Sequence, residues 1–202
     1  MENEIRDSRL KRQLRSIPQK FRTRAEGEDL YIEGYFAVFN SPYVLWEGAE
    51  EIVKPGAFSE CLSGDIRALI DHETRLVLGR TTVGTLRLRE DEYGLWGEIK
   101  VNRDDVDAMN LYSRIQRGDV DQCSFGFDIE REAFVDLGDG KCRWEIEKVN
   151  PLYEVSVVTF PAYEETAVKA RHADLANLQQ RKNEAWRKSM REKLKSEVNN
   201  GT

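Results

Sequence analysis

The chain has 202 residues, with 31 Lys and Arg against 37 Asp and Glu and a hydrophobic share of 40%. That share supports a packed core and excludes wholesale disorder, and no apolar run approaches the roughly 20 residues of a membrane span. The charge is segregated: residues 1–24 hold eight basic and three acidic side chains, residues 164–202 nine and six, and the body between them 14 and 28. An acidic body of this kind is unsuited to binding duplex phosphates, so nucleic acid is not an expected partner.

Residues 1–29 read as a basic N-terminal arm, flexible or helical. Its first residues lack the apolar stretch of a signal peptide. Ile5, Leu10, Leu14 and Ile17 fit a weak helical stripe that ends at Pro18. From Leu30 short strand-like runs begin. Residues 31–39 read as a strand closed by Asn40-Ser41-Pro42, and Pro55-Gly56 precedes a short helical piece over 57–62. Strands are expected at 66–70, 81–88 and 95–101.

Residues 104–117 form the one convincing helix of the body, with Val106, Met109, Leu111 and Ile115 as its apolar stripe and Gly118 as its stop. Residues 120–129 alternate like a strand. Residues 134–135 and 142–146 flank a hairpin turn at Leu137-Gly138-Asp139-Gly140, and 152–160 is a last strand halted by Pro161. The body, 30–163, is therefore mainly β with helices (α+β), best accommodated by a barrel or a strongly curved sheet. Residues 164–202 contain no Pro and no Gly before Gly201. Leu175, Leu178, Trp186, Met190, Leu194 and Val198 recur there at helical spacing, which predicts one long, charged, amphipathic helix.

Three cysteines, Cys61, Cys123 and Cys142, are too few and too scattered for a disulfide framework or a zinc site, so a reducing, cytosolic setting is expected. In the run 121–129, alternation assigns Cys123, Phe125, Phe127 and Ile129 to one apolar face. Ser124, Gly126, Asp128 and Glu130 fall on the other, which is expected to be open. Cys123 on the core face is thus an inert thiol, while Ser124 sits where an extended peptide could approach.

A serine hydroxyl needs a general base, and the body contains one histidine, His72, at the end of an apolar strand. His172 lies in the terminal helix as a solvated side chain. Glu154, a carboxylate heading an apolar strand, is the best third member to orient the ring; Asp71 points to the opposite face from His72, and Asp128 shares Ser124's face as a fallback. The competing readings for these residues are a solvated strand serine, a surface turn histidine and an edge-strand charge.

These residues sit inside an ordered set of strings: GYFAVFN at 34–40, PGAF at 55–58, ALIDHE at 68–73, LGRT at 78–81, GTLRLRED at 84–91, IQRGDV at 115–120, SFGF at 124–127 and EVSVVTFPAY at 154–163. Together they resemble the prohead maturation protease family of tailed bacteriophages, which is distantly similar to the herpesvirus assemblins. The resemblance covers about 34–166 and departs at Val157, where relatives often have proline. It implies an assemblin-like fold, a closed or nearly closed β-barrel surrounded by helices. It also implies a serine endopeptidase that acts inside the assembling procapsid, in the host cytoplasm, on scaffold and on the major capsid protein's scaffolding segment, and often on itself.

By position His72 matches the family's histidine base and Ser124 its nucleophile. Glu154 fills the place of the third member, with no metal or cofactor required. Self-association, a dimer being one form, is expected from the basic terminal helix beside an acidic body. The alternatives are a catalytically inactive capsid-assembly or scaffold-binding module of the same fold, and an unrelated serine hydrolase, which the missing GxSxG elbow disfavours.

Overall fold

A computed structural model describes residues 13–18, 21–160 and 165–200, and the chain divides into two compact units, 1–163 and 164–202. In the first unit the described residues form eleven strands in two sheets. The smaller pairs β2 (Arg22–Glu26), β3 (Asp29–Val38), β9 (Gly94–Val101) and β8 (Leu86–Glu90), all antiparallel, in that order. The larger has seven strands and is organised by two long ones, β10 (Gln122–Gly138) and β11 (Lys141–Val158). They pair antiparallel across a turn at Asp139-Gly140, where both residues have positive φ, 51° and 75°. That is the backbone twist a tight hairpin demands, and Asp-Gly adopts it readily.

Strand β11 is long enough to serve two partners on its other edge. Its early residues pair in parallel with β5 (Ala49–Val53), which continues to β4 (Tyr43–Trp46); Glu154 to Val157 pair in parallel with β6 (Arg67–Ile70), which continues to β7 (Glu73–Arg80). On the far edge of β10 lies β1 (Gln13–Pro18), antiparallel. The core is filled from one face of this sheet by Cys123, Phe125, Phe127, Val155, Val157, Ala68 and Ile70, together with Ile32, Phe36, Phe58 and Ile99. Phe125 stacks on Phe127 at 4.7 Å and meets Phe58 edge-on at 5.6 Å, so the expected apolar face of β10 is present.

Helix α1 (Val106–Arg117) begins at Asp105, whose carboxylate accepts from the Asp107 and Ala108 amides, and stops at Gly118 in the left-handed region. Its buried stripe is Ala108, Leu111, Tyr112 and Ile115; Val106, expected there, is exposed in the first turn. Several other expectations are corrected. Residues Leu14 and Ile17 belong to a strand, because β10 offers an unpaired edge, while Ile5 and Leu10 lie outside the described residues. The run 81–88 is a 3-10 turn followed by β8. Residues 57–62 make successive i to i+3 turns rather than a helix.

The described strands do not close into a barrel. They form two sheets, with β1, β4 and β7 left as edges of the larger, and α1 is the one α-helix of this unit, so no ring of helices surrounds it among the described residues. The second unit is helix α2 (Glu165–Asn200), in which Trp186 and Met190 are exposed; the side chains of Leu194 and Val198 lie outside those described.

Candidate active site

Register brings the sequence-predicted side chains together on the face of the large sheet opposite its core. Ser124 on β10 stands across from Ser156 on β11, and Gly126 across from Glu154. Directly opposed residues share a face, so Ser124, Ser156 and Glu154 line one side. The neighbouring β6 aligns Arg67 with Glu154 and Leu69 with Ser156, and the chain then turns at Asp71-His72 into β7.

Both residues of that turn have positive φ, 47° at Asp71 and 61° at His72. This is the same kind of tight hairpin as at Asp139-Gly140, built with a histidine where glycine would be unstrained. A non-glycine side chain in the left-handed region costs of order 1 kcal/mol and persists where the surroundings hold it. The holding contacts are visible: the Asp71 amide donates to Val157 O at 2.9 Å, and the Asp71 carboxylate accepts from the Thr159 amide at 2.7 Å and from the Thr159 hydroxyl at 3.2 Å. The turn is thereby clamped to the end of β11.

So placed, His72 Nδ1 lies 2.7 Å from Glu154 Oε1. An ionised carboxylate can only accept, so Nδ1 carries the ring proton and Nε2 of the neutral ring keeps its lone pair. The second carboxylate oxygen of Glu154 accepts from Ser156 Oγ at 2.6 Å. Glu154 and Ser156 are buried, and the His72 side chain is 18% exposed.

At the end of this chain of hydrogen bonds, His72 Nε2 is buried with no hydrogen-bond partner among the described residues, and so is Ser124 Oγ. Buried polar atoms are paired in the great majority of cases, which makes these two exceptions informative. The hydroxyl of Ser156 is already given to Glu154, whereas that of Ser124 is uncommitted.

Of the three carboxylates weighed from the sequence, Glu154 is the one bonded to His72. Asp71 is engaged with Thr159, and Asp128 accepts from Tyr153 Oη at 2.6 Å through one oxygen. Ser156 and the clamping role of Asp71 were not anticipated; the spacing Glu154-Val155-Ser156, two residues on one strand face, is the signal that could have found the former. Cys123 is fully buried with its thiol directed at the Tyr35 carbonyl oxygen, 3.1 Å away. His172 lies on α2, in the second unit. Against expectation, Ser124 is not on an open face. It is 0% exposed, and every residue from Cys123 to Asp128 is buried, so both faces of β10 are covered there.

The sequence profile of the caudovirus prohead serine protease family matches residues 18–181. The prohead protease of Enterobacteria phage HK97 is 29% identical over 149 residues, which are 72% of this chain and 61% of that protein, so the chain spans about three fifths of its relative's length. The solved structure of the bacteriophage T4 capsid assembly protease aligns at 13% identity with a TM-score of 0.47, covering 75% of this chain and 98% of that one.

Proposed function

Because the chain belongs to the caudovirus prohead serine protease family, we propose that it is a serine endopeptidase of procapsid maturation. Its substrates on this reading are scaffold, the scaffolding segment of the major capsid protein, and the chain itself. It acts within the assembling procapsid in the host cytoplasm, and it self-associates there.

The observation that carries the reading is the hydrogen-bonded series Ser156, Glu154, His72, with His72 Nε2 and Ser124 Oγ both left unpartnered. Ser124 is the nucleophile, His72 the general base and Glu154 the residue that orients the ring and stabilises its charged form. As Ser124 Oγ bonds to the scissile carbonyl carbon, its proton passes to His72 Nε2. The tetrahedral intermediate collapses as the C–N bond breaks and His72 returns that proton to the leaving amine. Water then attacks the acyl carbon and gives a proton to His72; the ester bond to Ser124 breaks, the hydroxyl is restored and the new carboxyl end departs.

Co-expression with the major capsid protein from the same genome tests the reading. Wild type is expected to shorten the capsid protein and itself, and Ser124→Ala to do neither. Equal capsid-protein length in both would leave an inactive assembly module of this fold as the better account.

A further inference from the structure

We propose that the strand position now held by β1 is the seat of the substrate peptide, and that Glu51 at its base is a recognition site for an arginine of that peptide. This rests on the protease reading and adds to it a specificity-determining residue and a reason why a substrate is kept from the strand beside Ser124.

The backbone of Ser16 lies opposite Ser124, in an unbroken register from Gln13 against Phe127 to Pro18 against Gln122. An extended peptide that reaches Ser124 by adding a strand to β10 needs that same edge. β1 runs straight past Ser124, so its carbonyls stay in the plane of the sheet while the Ser124 hydroxyl projects out of it; a substrate in the same seat leaves that plane at the residue opposite Ser124, which brings its scissile carbonyl over the hydroxyl. A fully buried Ser124 beside a filled edge is a latent enzyme.

The occupant is held in an unusual way. β1 pairs with β10 alone among the described strands. Of its described side chains, Gln13 and Leu14 are half-buried and only Arg15 is buried. Arg15 forks onto Glu51 of β5, with Nε on Oε1 and Nη2 on Oε2 at 3.0 Å, and its guanidinium lies 5.6 Å from the Tyr43 ring and 5.8 Å from the Phe127 ring. Glu51 is 2% exposed. A buried carboxylate that loses its cation is heavily penalised, so whatever replaces β1 is favoured if it brings a cation to the same place. Two carboxylate oxygens facing a planar fork, with aromatic rings beside it, suit arginine better than lysine. The arginine of the incoming peptide takes the place one residue before the one opposite Ser124.

The test uses the full chain carrying Ser124→Ala, so that binding is read without chemistry, with and without Arg15→Ala to loosen β1. The probe is a fluorescein-labelled peptide of residues 11–20, and the same peptide with Ala at the Arg15 position. The loosened protein is expected to bind the arginine peptide about tenfold or more tighter than the alanine peptide, and more tightly than the protein with β1 intact does. Adding Glu51→Gln is expected to erase the preference. Equal affinity for both peptides, or no binding by a loosened protein whose circular dichroism matches its parent, overturns the proposal.

Should Arg15→Ala fail to fold, hydrogen exchange on the unaltered chain decides. β1 amides are expected to exchange about a hundredfold or more faster than the amides joining β10 to β11, and equal protection would make β1 an integral strand. Arginine-selective binding without capsid-protein cleavage by wild type would sink the protease reading and leave the seat. Cleavage without peptide binding would do the reverse.

Discussion

Replacing Glu154 by glutamine removes one charge from the hydrogen-bonded series and little volume. The carboxylate oxygen lies 2.7 Å from His72 Nδ1, which puts the two charge centres about 4 Å apart when the ring is protonated. At an effective dielectric of about 20 that attraction is about 4 kcal/mol, or roughly a thousandfold in rate. On the proposed mechanism it exists only while His72 holds the Ser124 proton, so it lowers the barrier without tightening substrate binding, and the loss falls on kcat. Stability behaves differently. Glu154 is 2% exposed, and neutralising a buried carboxylate relieves a desolvation penalty, so the melting temperature is not expected to fall by more than a few degrees.

The assay is the timed shortening of the co-expressed major capsid protein by intact mass. Glu154→Gln is expected to slow it by about a thousandfold at near-native stability. Ser156→Ala, which removes a single donor 2.6 Å from the other carboxylate oxygen, is expected to slow it by about tenfold. A Glu154→Gln protein cleaving within about fivefold of wild type would refute the charge argument. So would a loss for Ser156→Ala that equalled it.

Three further outcomes follow from the geometry. Asp71→Ala breaks two hydrogen bonds to Thr159 and leaves alanine at φ 47°, so it is expected to lower stability by about 1–2 kcal/mol in urea unfolding and to slow cleavage. Asp71→Asn, which tolerates that backbone and keeps an acceptor, is expected to restore most of both. Cys61 has its thiol pushed up to about 11 by burial, so it stays protonated at pH 8; iodoacetamide is expected to leave it unmodified in the native protein and to alkylate it in urea, as judged by peptide mapping. Gly94→Ala would set a methyl group 2.0 Å from the Ala37 carbonyl oxygen, a backbone atom that cannot yield cheaply. It is expected to destabilise by about 3 kcal/mol or more in the same unfolding assay, because β3 and β9 must separate there.

The parts of the fold legible in the sequence are those whose determinants are local. Asp105 and Gly118 bracket α1 by capping chemistry that needs no tertiary partner, and Asp139-Gly140 announces a hairpin because few other dipeptides accept two positive φ values. The alternation of Cys123, Phe125 and Phe127 likewise marks a core face wherever the strand goes. β1 is the opposite case. Leu14 and Ile17 are three apart, which suits a helix, and what makes the segment extended is the hydrogen-bonding edge of β10 more than 100 residues away. No local pattern carries that, nor does any carry the division of β11 between β5 and β6, which decides that the sheet branches instead of closing.

The site divides along the same line. His72 and Ser124 stand out as candidates because histidine is scarce here, because period-two alternation puts a serine on the polar face, and because both fall inside the strings that resemble the family, but the left-handed backbone at His72 could not be read from the sequence. A tight turn written Asp-His reads as a poor version of Asp-Gly until Asp71 is seen bonded to Thr159. That clamp is what lets the histidine be there at all. It fixes the left-handed backbone that turns the ring onto Glu154, and Asp71, ranked below Glu154 from the sequence for facing away from His72, contributes by facing away. From the sequence Ser124 is expected on an open face, because polar alternation reports which residues leave the core face and says nothing of what covers the opposite one. On the proposed function, a protease that acts only inside the procapsid has a use for that concealment, and β1, from the basic arm that looked peripheral, occupies the edge beside Ser124.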